Sequence, residues 1–345
     1  MKSLKIIFVA YHNPNFISIT EYCEKTIRQL GHECIAFDDR SFILPGRLRK
    51  NLTLLHDWDL KQLNNRLLRC AAKENPDLCV VAGGHRISAL TIKKLKQQGI
   101  VTILWTIDPP RFFDQQNSFS ILRNTAPAYD YVFCGGTEAI ELLSDLRLKN
   151  ISWLPFACDE EFHKPVEITK QEQKMYGNDI VFVGSCYENR AVMFEQIADF
   201  DLGIWGPGWE KLKYHSPLKQ KIKYAGNIKP ELWLKIYAAA KIVIVSHYQD
   251  GKTLCYQVSP KVYEALACKC ATLVDNQRDI LLNFEDNKHL SIYNDIGQLR
   301  NNIKELLDNP DKTRVMAEAG YQQVIEKHTY QQRMKQMLKT VIKED

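Results

Sequence analysis

The feature that most limits what this chain can become is a rhythm that occurs twice. Short apolar runs rich in β-branched residues, bounded by Gly, Pro, Asn or Asp, alternate with longer amphipathic stretches. The first series is Leu4–Ala10, Cys34–Phe37, Leu78–Ala82, Val101–Trp105, Tyr131–Cys134 and Ile151–Leu154, with helical segments such as Leu60–Lys73 and Ile87–Gln97 between. Runs without polar alternation are strands covered on both faces, so the pattern predicts parallel sheets sandwiched by helices. The second series is Ile180–Val183, Leu202–Trp205, Ile242–Ser246, Thr272–Val274 and Leu290–Ile292, followed by helices at Ile296–Leu307, Lys312–Lys327 and Tyr330–Ile342. Residues 159–178 are polar and strand-free and read as a linker. The expectation is an α/β protein of two doubly wound, Rossmann-like domains, residues 1–158 and 179–327, with residues 328–345 as a separate helical end. In open parallel sheets ligands sit beyond the carboxyl ends of the strands, so a cleft between two facing sheets is the expected site.

Composition narrows the classes. The 345 residues are 45% apolar and 25% charged, which excludes disordered, collagen-like and coiled-coil chains. No apolar run reaches the roughly 18 residues that a membrane helix needs. The apolar N-terminal run ends at Ala10 and reads as a first strand rather than an export signal. The net charge is +5 with acids in both halves, which argues against a dedicated nucleic-acid binder and leaves room for anionic ligands. Ten cysteines with no C-x-x-C, the closest pair being Cys268 and Cys270, read as reduced thiols of a cytoplasmic protein, with neither a disulfide scaffold nor a zinc finger. No metal and no resident cofactor is expected.

Two stretches carry candidate chemistry. Gly184 and Ser185 follow the strand Ile180–Val183, and Glu188 stands three residues after Ser185, the spacing of a capping box that would start a helix near Cys186. Free amides of a first helical turn bind phosphate, and Arg190, one turn on, would set a guanidinium beside a diphosphate; a capped helix with a solvated Arg is the alternative. No G-x-G-x-x-G occurs, which weakens a dinucleotide oxidoreductase. Further on, Ser259 followed by Pro260 is a helix start, and Lys261 and Glu264 share one face of that helix. A carboxylate there accepts both hydroxyls of a ribose and the Lys meets phosphate; the alternative is a surface ion pair.

These residues, in the order DIVFVGSCYENR, IWGPGW, SPKVYEALACKCATLVDN and EKHTYQQRM, resemble the GT-B glycosyltransferases, and most nearly the spore-maturation CgeB-like group with its glycosyltransferase group 1-type C-terminal domain. The resemblance spans roughly residues 100–340, including WTIDPP at Trp105–Pro110. It implies a nucleotide-sugar donor in the second domain, an acceptor in the first, and a last helix that crosses back onto the first. By position, Glu264 resembles the acid that holds the donor ribose, and Gly184, Ser185, Arg190 and Lys261, with Ser259 at the helix start, the diphosphate cradle. Asn227 and Ile228, in the turn Ala225–Pro230, resemble the loop that meets the nucleobase. The retaining members carry a second Glu eight positions before the ribose Glu; here that position is Tyr256. Thr329 with Gln332 is a second capping-box spacing, at the start of the last helix.

Transfer to a hydroxyl calls for a base where first-domain strands end. Asp108 is preferred, since Pro109 and Pro110 fix its loop and a carboxylate withdrawn from water gains basicity; His12 and His85 are the alternatives. Two D-x-D matches, Asp57-Trp58-Asp59 and Asp199-Phe200-Asp201, sit at helix boundaries and read as structural. Lysines 211, 213, 219, 221 and 223, and Arg47, Arg49 and Lys50, form basic stretches. They are solvated faces, or contacts to a diphosphate acceptor or to anionic lipid, the last placing the protein at the inner face of a membrane. The sequence therefore points to a metal-independent glycosyltransferase acting on a glycan, lipid-linked or protein acceptor. An epimerase of nucleotide sugars or an inactive nucleotide-sugar binder on the same fold are the rival readings.

Overall fold

The computed structural model describes residues 3–14, 17–110, 118–249 and 251–342. Six strands, β1 Lys5–Ala10, β2 Glu33–Asp38, β3 Leu78–Ala82, β4 Val101–Thr106, β5 Tyr131–Cys134 and β6 Ile151–Trp153, form one parallel sheet in the order β2-β1-β3-β4-β5-β6. Their registers leave no gap: Ile7 lies opposite Ile35 on one side and Cys79 on the other. Residues Ile6 to Ala10 are all fully buried, as a strand covered on both faces requires. Ile7, Val9, Val81 and Leu104 contribute to a core cluster with helix residues Leu67, Ile92 and Leu95.

Six more strands, β7 Ile180–Val183, β8 Leu202–Trp205, β9 Ile222–Tyr224, β10 Ile242–Val245, β11 Ala271–Asp275 and β12 Ser291–Tyr293, make a second parallel sheet in the order β12-β11-β10-β7-β8-β9. Its core gathers Ile180, Phe182, Ile204, Ile242 and Leu273 around Phe194 and Trp209. The α/β expectation of two doubly wound units holds. The sequence reading missed β9, a three-residue edge strand with Lys223 exposed at its centre, which has no apolar run to announce it.

The chain forms two compact units. One holds the residues up to Pro155, the short segment Thr253–Gln257, and the chain from Tyr330 on; the other holds Phe156–Lys252 and Val258–Thr329. Residues 159–178 carry a helix, Lys170–Tyr176, started by a complete capping box of Thr169 and Glu172. The last helix, Tyr330–Val341, packs on the helix Ile19–Gln29 of the first unit, with Tyr22 and Tyr330 stacked at 5.9 Å, and Arg333 Nε donates to the Pro155 carbonyl at 2.9 Å. Among the described residues no helix is long and apolar enough to cross a membrane.

Strand order fixes where ligands meet each sheet. Chain direction across the sheet reverses between β1 and β3 in the first unit and between β7 and β10 in the second. At such a switch point the following helices diverge to opposite faces and leave a crevice beyond the strand ends. His12 follows β1 and Gly83 follows β3; Gly184 follows β7 and Ser246 follows β10.

Candidate functional site

In the second unit the turn after β7 does not fold as its sequence suggests. The helix runs Glu188–Glu195 with Tyr187 as N-cap and no side-chain cap, so Ser185 and Glu188 form no capping box. The reason is a tertiary pairing that outcompetes the local one. The Gly184 amide donates to the Trp205 carbonyl at 2.8 Å and the Cys186 amide to the Pro207 carbonyl at 2.9 Å, so the chain stays extended along the exit of β8 and the helix starts two residues late. The neighbouring turn approaches so closely that a Cβ on Gly206, whose φ is +136°, would collide with the Gly184 carbonyl.

Arg190 also departs from expectation. It is buried and turned inward, donating to the Ser185 carbonyl at 3.0 Å and to the Ser246 carbonyl, with its guanidinium over the Phe182 and Tyr187 rings. It therefore ties the two strand exits of the switch point together rather than reaching outward. Burial holds its pKa below the ordinary value, and among the described residues no carboxylate lies within ion-pair distance. The Asp275 carboxylate acts on this cation from beyond ion-pair distance and opposes the effect of burial.

The second stretch folds as its sequence predicts. Ser259 caps the helix Pro260–Ala267, its hydroxyl accepting from the Lys261 amide at 3.4 Å, with Pro260 in the first turn. Two residues that the sequence reading passed over hold this cap. His247 Nδ1 lies 2.7 Å from Asp275 Oδ1, and His247 Nε2 lies 2.9 Å from the Ser259 amide nitrogen. Since an amide only donates, Nε2 is the acceptor and Nδ1 carries the proton toward Asp275. Asp275 also accepts from the His247 amide at 2.9 Å, and Asn189 donates to the His247 carbonyl at 3.2 Å. The three strand exits, of β7, β10 and β11, are thereby joined to the start of one helix.

Lys261 and Glu264 are not a surface pair. Glu264 is buried, and burial pushes its carboxyl up to about 7 against the opposing pull of Lys261. Lys261 is half-buried with its ammonium 5.0 Å from the centre of the Trp233 ring, and desolvation lowers its pKa, Glu264 acting in the opposite sense. Fully buried His163, from the stretch read as a linker, places Nε2 3.9 Å from Glu264 Oε1. Its Nδ1 accepts from the Asp159 amide at 2.9 Å, which leaves the ring proton on the nitrogen nearest the carboxylate. Trp233, which meets His163 edge-on, keeps its buried indole nitrogen without a partner among the described residues. Asn227 is exposed and Ile228 half-buried in the loop between β9 and the helix Pro230–Ala238. Gly184, Ser185, Arg190, Ser259, Lys261 and Glu264 are thus brought to one edge of one sheet; among the described residues no hydrogen bond ties Asn227 or Ile228 to them.

In the first unit the three base candidates differ. Asp108 is exposed, so the withdrawal from water on which its preference rested is absent. His85 is half-buried in a turn set by Gly83 and Gly84, both with φ near +80°; a Cβ on Gly84 would lie 2.6 Å from Leu104. His12 has a defined partner: its Nε2 is 2.7 Å from Oε1 of Glu24, a buried carboxylate on the helix Ile19–Gln29. The other ring nitrogen, Nδ1, is shielded and has no partner among the described residues. After β2, the buried Asp39 carboxyl is raised by desolvation against the opposing Arg86, 3.2 Å away. Glu24 and Asp39 escaped the sequence reading, because nothing local marks a carboxylate on a helix or at a strand exit that turns inward.

Tyr256, where a Glu would stand in retaining enzymes, lies in the segment that belongs to the first unit. Its amide donates to Glu138 Oε2 at 3.0 Å, and Gln257 Nε2 to the Ile107 carbonyl at 2.9 Å. The D-x-D matches are structural. Asp59 is buried and accepts from the Ile43 and Leu44 amides. Asp199 forms a two-pronged pair with Arg300, and Asp201 accepts from Asn178 and the Asp179 amide. Among the described residues no cluster of three or more His, Cys, Asp or Glu side chains is arranged around a metal-sized space.

Residues 190–339 match the family described as Glycosyl transferase-like, a segment that takes in Arg190, Lys261 and Glu264. The whole chain is similar to solved structures of low sequence identity. A sucrose-phosphate synthase from Thermosynechococcus elongatus is 12% identical, with 98% of this chain and 99% of that one covered and a TM-score of 0.71. A glycosyltransferase from Rickettsia africae is 14% identical over 100% of both chains, with a TM-score of 0.69. Anabaena HepE in complex with UDP-glucose is 11% identical over 98% of this chain and 99% of that one, with a TM-score of 0.68. These likenesses establish the fold as GT-B. No curated protein matches the chain.

Proposed function

We propose that the protein is a GT-B glycosyltransferase of the CgeB-like kind, transferring a sugar from a nucleoside diphosphate to a hydroxyl of a glycan, lipid-linked or protein acceptor. The observation that carries this reading is the convergence of a buried carboxylate, Glu264, with two desolvated cations, Arg190 and Lys261, at the switch point of the second sheet. A pentose offers two hydroxyls for one carboxylate, and a diphosphate offers negative charge to two cations that burial has stripped of water. HepE, which shares the fold, is seen in complex with UDP-glucose.

The chemistry follows from charge. Cleaving the sugar–phosphate bond places new negative charge on the departing diphosphate. Lys261 would meet it directly, while Arg190 supplies a fixed field from below. His247 and Asp275 hold the amides of the helix start in place, so little reorganisation accompanies the step. These cations do the work that a metal does elsewhere, which makes transfer without a bound metal the expectation. His12 replaces Asp108 as the preferred base. Glu24 holds the ring by accepting from Nε2–H and would stabilise the imidazolium that forms once an acceptor hydroxyl reaches Nδ1, which is shielded in the free protein.

A thermal-shift screen with UDP-, GDP-, CDP- and dTDP-sugars tests the reading. A ligand held at a hundred times its dissociation constant adds about 2.7 kcal/mol to the folded state. For a unit of this size that is a rise of about 5 °C or more. One nucleotide class should raise the transition of the wild type and leave Glu264→Ala unmoved. No shift with any of the four would refute the assignment.

A further inference from the structure

We propose that the first unit docks on an anionic lipid surface through the segment from Arg40 to Lys61. Among the described residues sixteen large apolar side chains are exposed, and five of them, Ile43, Leu48, Leu52, Leu54 and Trp58, fall within these few turns of chain. Leu54 is 85% exposed and Trp58 44% exposed, one helical turn apart on the helix Thr53–Glu74, so they share a face. Isolated exposed apolar residues need no explanation, but a cluster of this kind marks an interaction site.

The patch is held together by one buried carboxylate. Asp59 accepts from the Ile43 amide at 2.9 Å and the Leu44 amide at 3.1 Å and lies 3.4 Å from Arg49 Nε. Arg49 also donates to the Leu44 carbonyl at 3.1 Å and stacks on Phe42, with 3.7 Å between guanidinium and ring centre. The loop that carries Ile43 and the short helix Gly46–Asn51 are thus fixed against the base of the helix that carries Leu54 and Trp58. The apolar residues are displayed on a rigid platform.

Charge selects the occupant. The same stretch contains five cations, Arg40, Arg47, Arg49, Lys50 and Lys61, and two carboxylates, Asp57 and Asp59. Asp59 is consumed by Arg49 and the loop amides, while Arg40, Arg47 and Lys61 are exposed. Aliphatic side chains and a Trp interleaved with exposed cations, of which Arg40 stacks on Tyr11 at 3.7 Å, suit the boundary between acyl chains and anionic headgroups, where apolar burial and electrostatic attraction add. A second copy of this chain would bury the same Leu residues but would set these cations against one another, whereas anionic headgroups match the charge and the acyl boundary takes the apolar side chains. The inference is independent of the donor chemistry of the second unit.

Co-sedimentation of the full chain with vesicles of phosphatidylcholine alone, or with 30% phosphatidylglycerol, tests it. The expected result is binding to the anionic vesicles that weakens in neutral ones and in 0.5 M salt. Arg47→Ala should weaken it about fivefold, the worth of one cation near such a surface. Leu52→Glu with Leu54→Glu, both at exposed positions, should weaken it at least tenfold while leaving the unfolding temperature and nucleotide-induced shift unchanged. Absence of wild-type binding to anionic vesicles would overturn the proposal, as would equal binding by the double variant. Concentration-dependent self-association that Leu54→Glu abolishes, without an effect on vesicle binding, would overturn it in favour of a second copy.

Discussion

Replacing Glu264 by Gln should stabilise the protein above neutral pH while weakening donor binding, a pairing that separates a functional carboxylate from a structural one. Glu264 is buried, and its carboxyl titrates near 7 in the folded chain against an ordinary 4.5. Below about pH 4.5 the group is protonated in folded and unfolded chains alike and has no effect on stability. As pH rises the unfolded chain ionises first, so folding is progressively penalised until the folded carboxyl also ionises near pH 7. The gap corresponds to a penalty of about 3 kcal/mol at pH 8, present in the wild type and absent in Glu264→Gln. Thermal unfolding of both proteins at pH 5 and pH 8 reads it out. The variant should gain on the order of 10 °C over the wild type at pH 8 and little at pH 5. Its affinity for the nucleoside diphosphate should fall about a hundredfold, since two hydrogen bonds to a charged acceptor are each worth about 1.5 kcal/mol or more. A stability difference that does not change with pH would refute the desolvation argument. Unchanged affinity would refute the ribose assignment.

Further outcomes follow from other contacts. His12→Ala should lower kcat by about a hundredfold or more with little change in donor affinity, and Glu24→Gln should lower kcat and shift the acid limb of its pH profile, the limb on which a base is lost by protonation; an unaltered acid limb in Glu24→Gln would show that the carboxylate does not act through His12. Arg190→Met strands the Ser185 and Ser246 carbonyls and should cost about 3 kcal/mol in urea unfolding, whereas a loss under 1 kcal/mol would mean that these bonds do not join the strand exits. Gly84→Ala forces a Cβ against Leu104 at a left-handed φ and should cost about 2 kcal/mol, measured the same way.

Much of the architecture was legible because buried parallel strands write themselves as β-branched runs with Gly, Pro or Asp at each end. Ile180–Val183 and Leu202–Trp205 match the structure to the residue. β9 was not legible, since it is a three-residue edge strand of which Lys223 and Tyr224 are both exposed. At the site, the helix start at Ser259 was legible because capping is local, and its residues act within a single turn. Ser185 and Glu188 show the limit of that logic: a local motif lost to hydrogen bonds with Trp205 and Pro207, twenty-odd residues away. The same distance in sequence hid the supports. His163 lies 101 positions from Glu264 and Asp275 lies 28 from His247, so only the fold brings each pair together. Arg190 was found but its direction was not, because which carbonyls a guanidinium satisfies depends on strand order.

Isothermal titration of the wild type and Glu264→Ala with UDP, GDP, CDP and dTDP puts the central claim to the most direct test. One of the four should bind the wild type with one-to-one stoichiometry and lose about a hundredfold in affinity in the variant. Equal affinity in both proteins, or no heat with any nucleotide, would contradict the account.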